Sequence, residues 1–75
     1  MLKEFLVTVV DTNGNVFKFK RKCVYARDII ADIRINQMKN KFLHEASYNS
    51  NTIEEQFLIR TDNIVSIKVT EIKEL

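Results

Sequence analysis

Among its 75 residues the chain has no proline, no tryptophan, one glycine, one cysteine and one histidine. Without proline and with a single glycine, it is neither a collagen-like repeat nor a linker or low-complexity segment. One cysteine excludes an internal disulfide, and one histidine beside it leaves too few ligands for an all-protein zinc site. No metal or cofactor is therefore expected. No apolar run approaches the ~18 residues of a membrane span. The N-terminus lacks the basic start and long apolar centre of a signal peptide, so a cytoplasmic protein without membrane contact is expected.

What is present describes a folding chain. Hydrophobic residues make up 45% and charged residues 29%, the proportions of a globular domain and not of a disordered segment. Twelve Lys and Arg against ten Asp and Glu leave a net charge of +2. That balance is too even to name nucleic acid, a membrane or an acidic substrate as partner. The length predicts one domain over residues 1–75. A chain this short buries only about 60% of its unfolded surface. Domains of this size often need a disulfide, a metal or a partner subunit. With the first two excluded, a homo-oligomer or a protein partner is expected.

Residues 3–10 (KEFLVTVV) are β-branched and aromatic and read as a strand. They are apolar on both faces, with Phe5, Val7 and Val9 on one and Leu6 and Val10 on the other, which suits an interior strand. Asn13-Gly14 then predicts a hairpin through a type I′ turn, with two residues at positive φ. Residues 16–22 (VFKFKRK) form the return strand. Lys18, Lys20 and Lys22 share one of its faces, which suits an edge.

Residues 25–40 have helical periodicity. Ala26, Ile29, Ile30 and Ile33 form one apolar stripe, suited to pack on the sheet. Ala31, Ile35, Met38 and Phe42 form a second stripe on roughly the opposite side, which needs a cover from this chain or another. The pattern leaves a choice open: the helix reaches Phe42, or it ends near 36–40 and residues 41–46 make a short strand. Residues 47–52 read as a polar loop. Residues 54–60 and 64–72 read as two strands about Thr61-Asp62-Asn63. A three-residue loop there pairs Ile59 with Val65 and Phe57 with Ile67, segregating apolar from polar faces, with Asn63 in a left-handed conformation.

The chemistry-bearing residues form no catalytic set. His44-Glu45 opens a zinc-protease motif whose second histidine position is Tyr48, so the motif fails. Cys23 follows Arg21 and Lys22, but no positioned base accompanies it. Asp28 and Asp32 read as solvated charges near a helix start, favoured by the macrodipole. Gly14 alone cannot make a phosphate-cradling loop. Lys18, Lys20, Arg21 and Lys22 form the densest basic cluster and are the candidate nucleic-acid contacts. Ala31, Ile35, Met38 and Phe42 are the candidate protein contacts.

With its short length, opening hairpin and closing FLIRTDNIVSIKV (57–69), the chain resembles small uncharacterised proteins of low-GC Gram-positive bacteria and their phages. The resemblance carries no active site. It implies a phage, prophage or mobile-element accessory protein that acts by binding.

The sequence thus predicts an α+β domain, ββαβ(β)β, with the helix on one face of a curved sheet. A five-stranded barrel with an inserted helix is the alternative. The expected function is non-enzymatic protein binding as a homodimer or on a host protein, with nucleic-acid binding through residues 16–22 as the alternative.

Overall fold

A computed structural model describes residues 1–48 and 54–75, with only the backbone of Ser47, Tyr48, Glu54 and Glu55. The elements run β1 (Lys3–Asp11), β2 (Val16–Cys23), α1 (Ala26–Lys39), β3 (Phe42–Tyr48), β4 (Glu54–Arg60), a 3-10 turn (Thr61–Asn63) and β5 (Ile64–Glu74). The architecture is α+β with an N-terminal hairpin. One antiparallel sheet has the order β2-β1-β5 and a second is the β3-β4 hairpin. β1 is the interior strand, as its two apolar faces require.

The strands alternate around one core. Phe5, Val7 and Val9 of β1, Phe19 of β2, Ile29 and Ile33 of α1, Leu43 of β3 and Ile59 of β4 are its buried members. Each such side chain contributes about 1.5–3 kcal/mol on burial. The first helical stripe faces the sheet: Ile29 and Ile33 are buried, and Ala26 packs at the margin. Phe17 and Phe57 meet edge to face at 5.5 Å, joining β2 to β4.

The β1–β2 loop differs from the expected type I′ turn. Asp11 and Asn15 close it through Asp11 N–H to the Asn15 carbonyl, and Gly14 N–H bonds the Asp11 carbonyl. This is a three-residue loop, with Gly14 (φ 81°) in the left-handed position. Asp11 is the reason. Its carboxylate accepts from the backbone N–H groups of Asn13 and Asn15 and from the Asn15 side-chain amide, at 2.9–3.0 Å.

The Asn15 side-chain bond, helped by those backbone donors, holds the Asp11 carboxyl below its ordinary value of 3.8. A group whose folded pKa is depressed stabilises the fold above its unfolded pKa. That contribution is lost as pH falls through the folded value. Asp11→Ala is therefore expected to lower the melting temperature at about pH 7, with the difference from wild type shrinking as pH falls through the depressed folded value. A pH-independent difference in thermal melts would refute the role of the ionised carboxylate.

The C-terminal strands also depart from the expected pairing. β4 and β5 do not pair: β4 pairs with β3 and β5 with β1, so the expected Ile59–Val65 and Phe57–Ile67 register does not form. Thr61-Asp62-Asn63 is a 3-10 turn that passes the chain from one sheet to the other. Buried Thr61 fixes it. Its hydroxyl donates to the Asn40 carbonyl at 2.7 Å, its N–H to the Lys41 carbonyl, and its own carbonyl accepts from the Gln37 amide. The Asn63 carbonyl accepts from Thr12 N–H, so this turn also braces the first hairpin.

The helix ends at Lys39, with Asn40 in extended conformation as its cap. Phe42 thus opens β3 and leaves the second stripe. Ser47 and Tyr48 extend β3 where a loop is expected. The rest of that expected loop, 49–52, lies outside the described residues.

Candidate binding surface

The solvent side of α1 carries the second stripe. Ala31 is exposed, Ile35 is 49% exposed and Met38 86% exposed. Among the described residues nothing covers them. An unbranched thioether and an isoleucine at i, i+3 share a helix face, so they form one patch and not two isolated contacts. Phe42, also 49% exposed, stands at the start of β3 with Arg60 opposite it on β4.

Met38 also borders a groove between α1 and β5. Ile30, Arg34 and Gln37 line its helical wall and Ile64, Val65 and Ser66 its strand wall, with a volume of about 490 Å³. The groove is apolar at its base and carries Arg34 on its wall. It exists because the helix packs over the sheet through Ile29 and Ile33, leaving the adjoining helix face, with Ile30 and Arg34, open toward β5.

The basic cluster divides in two. In β2 the side chains alternate: Lys18, Lys20 and Lys22 point outward, while Phe17, Phe19 and Arg21 point to the helix side. Arg21 Nη1 donates to Asp32 of α1 at 2.8 Å, and Nη2 donates to Glu45 of β3. Its guanidinium lies 5.7 Å from the Phe19 ring centroid. Both of its fork positions are taken, so Arg21 drops out of the candidate nucleic-acid contacts. Asp32, expected to be simply solvated, is half of this arrangement. Asp28 stays exposed in the first helical turn.

The remaining chemical candidates lie apart. Exposed His44 pairs through Nε2 with Gln56 Oε1 at 2.8 Å, across the β3–β4 ladder. Glu45, next to it in sequence, points to the opposite face and is held by Arg21. Cys23 is unpaired and packs at the core margin. Among the described residues no three of His, Cys, Asp and Glu converge as a metal site would require. No described helix is long and apolar enough to cross a membrane.

No family model, curated protein or solved structure matches the chain.

Proposed function

We propose that this chain acts by binding and not by catalysis. In this reading it is a small accessory or regulatory protein, of the phage or mobile-element kind, working in the cytoplasm. Its first partner is a second copy of itself, joined through the solvent face of α1. The observation that carries the reading is the uncovered stripe of Ala31, Ile35 and Met38. An isologous arrangement sets two such helices antiparallel, so that Ile35 of each copy meets Met38 of the other. Arg34 beside the stripe supplies part of the polar rim such an interface needs. A chain this small gains core from a partner surface that it cannot build alone.

The test is the solution mass by light scattering. Wild type is expected at twice the 8.8 kDa chain mass, unaffected by salt because the contact is apolar. Ile35→Asp and Met38→Asp are expected to give monomers. Met38 is 86% exposed, so its intrinsic cost in the monomer is a helix-propensity loss of no more than about 0.5 kcal/mol. Ile35, 49% exposed, also loses the packing of its covered half. A monomeric wild type, or unchanged mass in both variants, would overturn the dimer.

A further inference from the structure

We propose that the outer face of the β2-β1-β5 sheet binds the phosphate backbone of double-helical nucleic acid without reading its bases. The surface is distinct from the helix stripe, and the proposal does not depend on the dimer. The register assembles it. Thr8 of β1 lies between Lys18 and Lys68, Glu4 between Lys22 and Lys73, and Leu6 between Lys20 and Thr70. Five lysines therefore share one sheet face, and all are exposed. Three belong to the basic strand. The other two, from the far end of the chain, join only because β5 pairs with β1.

The small net charge conceals this face because the charges are segregated. Among the described residues the ion pairs are made by Lys3, Arg21 and Arg60, which hold Glu71, Asp32, Glu45 and Asp62. Among the described residues none of the five lysines is in an ion pair, and Glu4 is the one carboxylate among them. Side by side, Glu4, Lys20, Lys22 and Ala46 line a recess of about 350 Å³ beside β3.

The geometry favours a duplex backbone over other polyanions. Lysines two residues apart on β2 lie about 6.8 Å apart, and the β2 and β5 rows about 10 Å apart, two strand spacings. That separation is close to the major-groove width of about 12 Å, so the rows can meet phosphates on both sides of a groove. Phe17 and Phe19 are turned inward. The face then offers no aromatic platform for unstacked bases, which single-strand binding uses. Its apolar side chains are half-buried Leu6 and Val10 and exposed Val16, scattered on strands, and not the amphipathic helix that lies in a membrane surface. Lysine is a point charge with flexible reach, suited to phosphate and poor at bidentate base recognition.

The experiment is fluorescence anisotropy with a short duplex DNA of arbitrary sequence. With five contacts the expected log–log salt slope is about −4.5, a loss of roughly 500-fold between about 50 and about 200 mM salt. Lys18→Glu, Lys20→Glu and Lys68→Glu together are expected to abolish binding. The milder triple change to Gln is expected to reduce the slope by about 2.7. Arg27→Glu, Lys39→Glu and Lys41→Glu together make the same charge change away from the face and are expected to retain most of the affinity. Circular dichroism establishes that each variant is folded. Failure of wild type to bind at about 50 mM salt, equal loss in the control triple, tighter binding to a single strand, or binding to phosphatidylserine vesicles without binding to DNA would each overturn the proposal.

Discussion

Phe19→Ala is expected to cost about 3–5 kcal/mol, the largest single-residue effect in the chain. Whole domains of this length are stable by only about 4–11 kcal/mol. The variant should therefore lose much or all of its cooperative transition. If it still folds, its melting temperature should fall by about 15–30 °C. The ring is fully buried at the meeting point of both sheets and the helix. Val7 lies opposite it in the ladder, and the Arg21 guanidinium rests on it. Truncation removes the ring's transfer energy, leaves a cavity in a core that is already small, and deprives Arg21 of its platform. Ile33→Val, at another fully buried position, removes one methylene and is expected to cost only about 1 kcal/mol. Urea denaturation separates the two. A Phe19→Ala midpoint no lower than that of Ile33→Val would show that the core does not centre on this ring.

Arg21→Met should be the most damaging change at a charged position, at about 2 kcal/mol. The figure lies between the 3–5 kcal/mol for breaking a buried pair and the 0–1 kcal/mol for an exposed one. β2 and β3 run side by side without a shared ladder, so little backbone bonding joins the two sheets there. Arg21 bridges the gap to Glu45 and reaches α1 through Asp32. The Glu45 side chain is only 13% exposed, and without Arg21 its charge is left without a counterion. The Asp32 side chain is 54% exposed and returns to water at small cost. A double-mutant cycle should thus give a coupling of about 1–3 kcal/mol between Arg21 and Glu45. Between Arg21 and Asp32 it should stay below about 1 kcal/mol. Arg21→Lys should fall short of wild type, because one compact ammonium cannot span Asp32 and Glu45 as the two terminal nitrogens of the guanidinium do. Equal couplings to the two carboxylates would refute this division of labour.

Alternation made much of β1 and β2 readable in advance. It placed Phe5, Val7 and Val9 together and separated Lys18, Lys20 and Lys22 from Arg21. Residues 18–22 are one basic run in sequence but not in space: an odd-numbered arginine shares its face with Phe17 and Phe19. The type I′ reading weighed Asn13-Gly14 alone. The competing signal was Asp11, whose short carboxylate can collect nearby backbone N–H groups and lengthen the loop. The β4–β5 error has a different origin. Thr61-Asp62-Asn63 suits a hairpin and a sheet-switching 3-10 turn equally, since both need short polar residues at a reversal. The clue lay at the other end of the chain. A strand apolar on both faces needs neighbours on both edges, and β2 supplies only one.

Local pattern was enough for the periodic features: an opening hairpin, one helix with a packing stripe, a second apolar stripe, and too few ligands for a disulfide or zinc. These follow from residues within a few positions of one another, where backbone geometry alone sets which side chains share a face. Which strand lies beside which emerged from the folded chain as a whole. That arrangement ended the helix before Phe42, locked Arg21 between Asp32 and Glu45, and brought Lys68 and Lys73 onto the same sheet face as the lysines of β2, across β1. Long-range pairing is set by the best joint burial of Phe19, Ile33, Leu43 and Ile59, a condition on the whole core that no local window contains.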